Sequence, residues 1–439
     1  MAFRDFGTPE LSRRRLLRGG AWLSGGAAIS GLPLASAALA QQPGAAAWPN
    51  VSAMTRRYVA ERKVANMVAT LGWKQQAPVT IANGTLLLGG TVKADADTLY
   101  RIYSMTKPIT GMATMMLIDE GKLGLDQPLA EILPEFAKMQ VLKRHDGPVE
   151  DTVPAERPIT IRQLLTHTAG LGYNIVQKGP IKNLYERYGL LPGQVSRIPI
   201  PGFGDYATIE GLDQFATRLA RVPLVYQPGT KWSYSVSLDL LGRVIEVASG
   251  VAFDEFLRTR IFEPCGMTST WFRVPQGEVA RFTTNYAVLG QALIPVDPGT
   301  ASIYLDEPAF PFGGAGLVSS PRDYDRFLMM LAGLGTIEGK QVMTEAAVRL
   351  GTSNLLPVGV STAGTYADGG GFGAGGRVGL GQQAGTYGWG GAAGTVALVN
   401  VNLGLRAHLM TQYMPAEAYP VHGDFPKAVL ADLAAMQGS

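Results

Sequence analysis

Ser104-Met105-Thr106-Lys107-Pro108-Ile109-Thr110 opens an apolar stretch that runs from Met105 to Glu120 and stops at Gly121. Proline is tolerated only in the first turn of a helix, so Pro108 places the start of this helix close to Ser104. Residues i and i+3 share a helix face, which lets the Lys107 amine reach the Ser104 hydroxyl. A helix N-terminus also points free N–H groups and positive dipole at any negative charge that develops there. A serine in this place can act as a nucleophile, and its own N–H can form half of an oxyanion hole. By itself the spacing is weak evidence, because S-x-x-K arises by chance about once in a chain of this length. A plain solvated helix start is the competing reading.

Other chemistries have less support. No G-x-S-x-G turn is present, so the strand-to-helix nucleophile elbow is missing. His145, His167, His408 and His422 are scattered and no H-E-x-x-H occurs, which leaves a zinc hydrolase without ligands. Cys265 is the single cysteine, so intrachain disulfides and CxxC sites are excluded. No metal or cofactor is expected.

Upstream of Ser104, residues 51–70 read as a helix, with Met54, Tyr58, Val59, Val64, Met67 and Val68 near a 3.6 period. Val79–Ala82 and Thr85–Leu88 flank Asn83-Gly84, a hairpin signal. Downstream, Ile161–Thr166, Leu212–Ala220, Ser237–Ala248, Phe253–Arg260 and Leu317–Gly333 read as helices, the last with Ser320-Pro321 as cap and first-turn proline. Residues 363–394 hold 14 glycines among Phe372, Tyr387 and Trp389, and no P-loop lysine follows. Close-packed strands with sharp turns fit them better, continuing through Val396–Asn400 and Leu405–Met410. Pro426–Met436 reads as a final helix. A sheet built from both ends of the chain, with a helical insertion between, is the natural assembly.

The chain has 439 residues, 46% of them hydrophobic and 17% charged, which is a globular composition long enough for two domains. Five of its arginines (Arg4, Arg13, Arg14, Arg15 and Arg18) lie in residues 1–40, and the remainder is electrically balanced. Neither a nucleic-acid surface nor a polybasic membrane anchor is indicated. Residues 1–40 combine that charged start with an apolar run from Ala21 to Leu34 and a small-residue Ala38-Leu39-Ala40 end. The combination predicts a cleaved export signal, and the paired arginines resemble a twin-arginine leader, so a periplasmic or secreted protein starting near Gln41 is expected. No stable membrane anchor is expected.

Taken together, several blocks resemble the serine β-lactamase and penicillin-binding-protein superfamily, in particular its class C-related branch that includes the family VIII carboxylesterases. The blocks are Ser104–Thr110, Leu123-Gly124-Leu125-Asp126, Ile161–Leu171, Pro228-Gly229, Trp232-Ser233-Tyr234-Ser235, Gly266-Met267, Gly314-Ala315-Gly316-Leu317 and Tyr387-Gly388-Trp389-Gly390-Gly391. They occur in family order across residues 100 to 395. The resemblance implies an α/β (α+β) β-lactamase-like fold, with an antiparallel sheet flanked by helices and a second, mostly helical domain. The expected division is 41–140 together with 285–439 for the sheet domain and 141–284 for the helical one. It also implies roles. Ser104 would be the acyl-accepting nucleophile, Lys107 would keep its hydroxyl polarised, and Tyr234 would serve as general base and later acid. Which of the last two carries the proton stays open. The backbone N–H groups of Ser104 and Ala392 would form the oxyanion hole.

Two departures bear on substrate. Val236 stands where class C enzymes carry an asparagine, and Trp389 stands where they carry the lysine that binds a β-lactam carboxylate. Each lost polar contact is worth about 1.5–3 kcal/mol. With Trp389, Gly390, Gly391 and Val236 lining it, the site suits neutral acyl esters. The reading is therefore an exported serine hydrolase of short-chain carboxylic esters. The alternatives are a weak class C-like β-lactamase, a D-amino-acid peptidase or amide hydrolase, and, from another class, a penicillin-binding-like sensor without turnover. His167 reads as structural, Trp232 as core or pocket wall, Asp126 as a turn brace, Cys265 as a small buried residue, and residues 172–210 as a loop over the site or a surface excursion.

Overall fold

The computed structural model describes residues 44–191, 193–197 and 209–437. The expected leader and its cleavage point lie outside the described residues. The helix that opens within Ser104–Thr110, α2 (Thr106–Asp119), comes after α1 (Pro49–Ala60). A single 3₁₀ turn over Tyr103–Met105 leads into α2, Pro108 sits in its first turn, and left-handed Gly121 follows its end. Nearly every residue of α2 is buried, as a helix apolar on all sides must be.

Seven strands form an antiparallel sheet: β1 (Asn66–Trp73), β2 (Val79–Gly84), β3 (Gly371–Phe372), β4 (Arg377–Val378), β5 (Thr386–Gly390), β6 (Val396–Asn400) and β7 (Leu405–Met410). Their order is β3-β4-β5-β6-β7-β1-β2, so the two ends of the chain meet where Val68 pairs with Met410. Further helices are α3 (Ser237–Ser249), α4 (Pro321–Ala332) and α5 (Val421–Gln437). Alternation along the strands sends Met67, Ala69, Leu71, Leu405, Ala407 and Leu409 to one face, where they pack with Val51, Tyr58, Val421 and Phe425 of α1 and α5. The opposite face carries α4, whose Asp325 makes a buried bidentate pair with Arg406 of β7. Beyond it lies the larger core, shared by α2, α3 and the helices between residues 161 and 265. Among the described residues, no helix is long and apolar enough to cross a membrane.

Several local expectations are corrected. The helix expected over 51–70 ends at Ala60, and Arg62 turns the chain with a φ of 55° into β1. β1 is buried on both faces, so buried residues follow one another without alternation and fit either period. Asn83-Gly84 is not a turn. Both residues continue β2, opposite Met67 and Asn66, and the chain reverses at Leu87–Gly90 instead. Gly84 has a φ of 90°, and a Cβ there would lie 2.2 Å from the Ala65 carbonyl oxygen, so the glycine answers a close strand approach. Leu317 precedes a short strand, Val318–Ser319, that pairs with Tyr100–Arg101 ahead of α4, while Ser320 caps α4 as expected by accepting from the Asp323 amide at 3.2 Å. The helix expected over Phe253–Arg260 ends at Leu257 and continues as a wider π turn over Arg258–Phe262. α5 starts at Val421, five residues ahead of the expected Pro426, because buried Val421 and Phe425 anchor its first turns.

One buried ion pair holds the segment leading to Ser104. Arg101 is fully buried; its Nε donates to Asp297 Oδ2 at 2.6 Å, its Nη1 to the Thr283 carbonyl at 2.8 Å and its Nη2 to the Asp297 carbonyl at 3.0 Å. Its guanidinium also lies 4.0 Å from the Phe282 ring centroid. Removing one partner strands a charge in the core. Asp297→Ala is therefore expected to lower the unfolding free energy by about 3–5 kcal/mol in urea denaturation, and Arg101→Met/Asp297→Leu to recover part of that loss.

Candidate active site

The 3₁₀ turn before α2 puts Ser104 at the only half-exposed position in an otherwise buried run from Arg101 to Thr110. Tyr103, immediately before it, has a left-handed φ of 42°, a conformation that costs a non-glycine residue about 1–3 kcal/mol. The tyrosine is held there from several sides. Its phenol accepts from Asn285 Nδ2 at 3.2 Å, and its ring meets Tyr304 edge-on at 6.4 Å.

The spacing of the quoted stretch works as predicted. Lys107 is fully buried in the first turn of α2, and its Nζ donates to Ser104 Oγ at 3.2 Å and to the Gly314 carbonyl at 2.7 Å. Tyr234, just ahead of α3, donates its hydroxyl to the same Ser104 Oγ at 2.8 Å. Trp389 of β5 donates its indole N–H to the Tyr234 oxygen at 3.0 Å. Four residues from three distant stretches thus share one hydrogen-bonded chain ending on the serine oxygen. The Lys107 ammonium also lies 4.6 Å from the Tyr234 ring centroid and 5.6 Å from that of Tyr173.

The remaining predicted site residues lie around this chain with different exposures. Gly390 and Gly391 are buried at the end of β5, which packs against the Tyr103–Met105 turn. Ala392 is exposed in the turn that follows. That turn is closed by the Gly391 amide donating to the Thr395 carbonyl at 2.8 Å, and Thr395 Oγ1 reaches the Ile102 carbonyl at 3.4 Å. Val236 is fully buried, its amide donating to the Gly172 carbonyl at 3.2 Å, so its side chain belongs to the core at the start of α3.

Residues given plain readings fall in two groups. Asp126 braces a turn through a bidentate pair with Arg162 at 2.6 and 2.7 Å. Cys265 is buried, and burial pushes its thiol up to about 12. His167 and Trp232, by contrast, pack directly on Tyr234: the His167 ring centroid lies 4.8 Å away and the Trp232 ring stacks at 6.0 Å. His167 Nδ1 is 2.9 Å from Ser235 Oγ, and burial with Lys107 nearby holds the imidazole well below its usual range, hence neutral.

The sequence reading assigns no role to Asp239 or Gly314, and reaches Tyr173 only as part of residues 172–210, read as a loop over the site or a surface excursion. Tyr173 meets Tyr234 edge-on at 5.2 Å, and burial pushes its phenol upward. Gly314 stood inside a quoted block, which is the one signal that pointed to it. Asp239 looks in sequence like an ordinary acidic residue in the first turn of a helix. Among the described residues, no group of three His, Cys, Asp or Glu side chains could hold a metal ion.

A beta-lactamase family profile matches residues 51–429. Esterase EstB of Burkholderia gladioli is 32% identical over 338 residues, covering 72% of this chain and 77% of that protein. The solved structure of EstCE1, described as a hydrolase with promiscuous acyltransferase activity, aligns with a TM-score of 0.68 at 26% identity, covering 89% of this chain and 99% of that one. Simvastatin synthase (LovD) from Aspergillus terreus, in its LovD6 mutant form, shares the fold with a TM-score of 0.72 at 21% identity, covering 91% and 100% of the two chains.

Trp389→Phe removes the indole N–H from Tyr234 and leaves a small cavity between Tyr234 and Phe372. Trp389→Phe is expected to leave the melting temperature within a few degrees and to lower kcat on a p-nitrophenyl ester by about 10- to 100-fold, the worth of one hydrogen bond to a group that gains charge.

Proposed function

The chain belongs to the beta-lactamase family of serine hydrolases, and on that premise we propose that it is a carboxylesterase that cleaves short-chain, uncharged esters through a Ser104 acyl-enzyme. The observation that carries this reading is the convergence of Lys107 Nζ and the Tyr234 hydroxyl on one serine oxygen at 3.2 and 2.8 Å. Two groups held on one hydroxyl orient its lone pairs, and the Tyr234 contact becomes a path for the serine proton once the phenol has given up its own.

In acylation Tyr234 acts as the phenolate: Ser104 Oγ bonds to the ester carbonyl carbon as its proton passes to the deprotonated Tyr234 oxygen, beside the Lys107 ammonium and the Trp389 indole N–H. The carbonyl oxygen takes up negative charge and is held by the amides of Ser104 and Ala392. Collapse breaks the carbon–oxygen bond of the ester, and Tyr234 returns the proton to the departing alcohol. Water then enters by the same sequence and frees the acid. The Trp389 indole N–H steadies the Tyr234 oxygen while it gains and loses that proton.

Substrate charge follows from the cations available. Among the described residues of the hydrogen-bonded chain, Lys107 is the one cation, and it is fully buried against the Gly314 carbonyl. A substrate carboxylate would find an indole at position 389 where a lactamase offers an ammonium. This disfavours β-lactams and suits neutral esters. A second reading is acyl transfer to an alcohol in place of water. It is favoured by the rings of Tyr173, Trp232, Tyr366 and Trp389 packed around Tyr234, which exclude water from that side, and it agrees with the description of EstCE1. Export by a twin-arginine-type leader to the periplasm completes the proposal and rests on the sequence of residues 1–40.

The test sets the protein beside Ser104→Ala on p-nitrophenyl acetate, butyrate and octanoate, with a chromogenic cephalosporin in parallel and added butanol as competing acceptor. Turnover of acetate and butyrate that vanishes in Ser104→Ala, with little cephalosporin cleavage, is expected. Dominant cephalosporin cleavage would favour a lactamase, and equal activity in both proteins would remove Ser104 as nucleophile. Butyl ester formed in preference to free acid would favour the transferase reading.

A further inference from the structure

Lys107 brings a full positive charge into the core, and the two bonds of its ammonium go to neutral oxygens. The Gly314 carbonyl it holds at 2.7 Å belongs to a residue whose amide donates to Asp239 Oδ1 at 2.8 Å. Asp239 is fully buried in the first turn of α3, and its Oδ2 has no hydrogen-bond partner. Gly314 is pressed against this carboxyl so closely that a Cβ there would lie 2.6 Å from Oδ2 and 2.9 Å from Oδ1. A carboxylate, one glycine and an ammonium thus form a continuous line from α3 to α2, ending on the nucleophile. A buried carboxyl with an unpartnered oxygen is costly unless something nearby offsets it. Lys107 is the charge that offsets part of that cost.

We propose that Asp239 is a positioning residue of the active site: its carboxylate, acting through Gly314, balances the buried Lys107 ammonium and holds it on Ser104, so that turnover requires Asp239 to be ionised. This rests on the reading of Ser104, Lys107 and Tyr234 as the acyl-transfer set. Asp239 is faced by Lys107 from α2, by the Tyr173 phenol from the segment before residue 180, and by the Gly314 amide from the turn ahead of α4. His167 reaches the start of α3 through Ser235 and Ser237. Leu212 and Phe253, from two further helices, pack on Gly242 of α3 with apolar groups.

The geometry has a titration consequence. Burial pushes the Asp239 carboxyl up to about 6, against the opposing pull of Lys107 and the Gly314 amide. A carboxyl raised in the folded state holds its proton to higher pH than in the unfolded chain, so stability is lost as pH rises from about 4 to about 6, and the loss is complete above that. A group kept for fold stability alone would not be arranged this way.

The test compares the protein with Asp239→Asn, Gly314→Ala and Ser104→Ala, reading kcat against pH from 4.5 to 9 and the melting temperature at pH 5 and pH 8. Asparagine keeps an oxygen for the Gly314 amide and removes the charge. Its expected signature is a kcat about 10- to 100-fold lower, loss of the activity step near pH 6, and a melting temperature at pH 8 equal to or above that of the unaltered protein. Gly314→Ala displaces the carboxylate without removing its charge, so it should lower kcat while keeping an acid limb. An Asp239→Asn protein with unchanged kcat and an unchanged limb near pH 6 overturns the proposal. So does a melting temperature lowered equally at both pH values, which would make Asp239 a purely structural group. Retained activity in Ser104→Ala would instead overturn the acyl-enzyme reading beneath it.

Discussion

The burial of one ammonium organises this molecule. An S-x-x-K spacing at the mouth of an all-buried helix leaves Lys107 no route to solvent, so its charge must be satisfied by groups the chain brings to it. Those groups come from far apart: Ser104 from its own turn, Gly314 from the approach to α4, and the rings of Tyr173 and Tyr234 from the helical half of the chain. The placement of α3 and of the strands beside Ser104 can be read as answers to that single demand. A buried cation that is fully met by fixed neighbours is also a cation that cannot wander, which is what a nucleophile's partner needs.

The platform under the nucleophile is built from the same materials. Tyr103 is held in a strained conformation by its neighbours, and Arg101, two residues earlier, is clamped by Asp297 and the Thr283 carbonyl. The hairpin that supplies Asp297 also supplies Asn285, whose side chain reaches the Tyr103 phenol. Strain at residue 103 is therefore sustained by a buried ion pair and a side-chain bond on the same hairpin, so the conformation is over-determined by its surroundings.

What could be read from the sequence follows the range of the forces involved. The Ser104–Lys107 contact rests on helix geometry across three residues, and it appears as expected. The stop at Gly121 and the Ser320 cap are equally local. Tyr234 and Trp389 were reached through resemblance, because no local rule links a residue to a partner 130 positions away. Asp239 stayed hidden because an acid in a first helical turn usually faces water, and only tertiary packing turned this one inward. The misread elements share a cause. Val64 to Val68 fit a helix until burial on both faces of β1 is known, and Asn83-Gly84 fits a turn until the approach of Ala65 is known. Pro426 reads as a helix start until Val421 and Phe425 are seen packed beneath the sheet.

The strand order carries a consequence for how the protein is made. β1 leaves the ribosome early, but one of its two partners, β7, is among the last segments translated, since Val68 awaits Met410. Through most of synthesis β1 has an open edge, and α1 lacks the α5 helix it packs against. Pairing across such a separation is slow, because a long loop must close before any contact rewards it. Ser104 and Lys107 can meet within the first third of the chain, yet Tyr234, Gly314 and Trp389 arrive in turn much later. A nascent chain halted before β5 thus carries a nucleophile without its indole donor and with a sheet still open at the centre. Premature termination should give an inert product that seeks other strands, rather than a smaller enzyme.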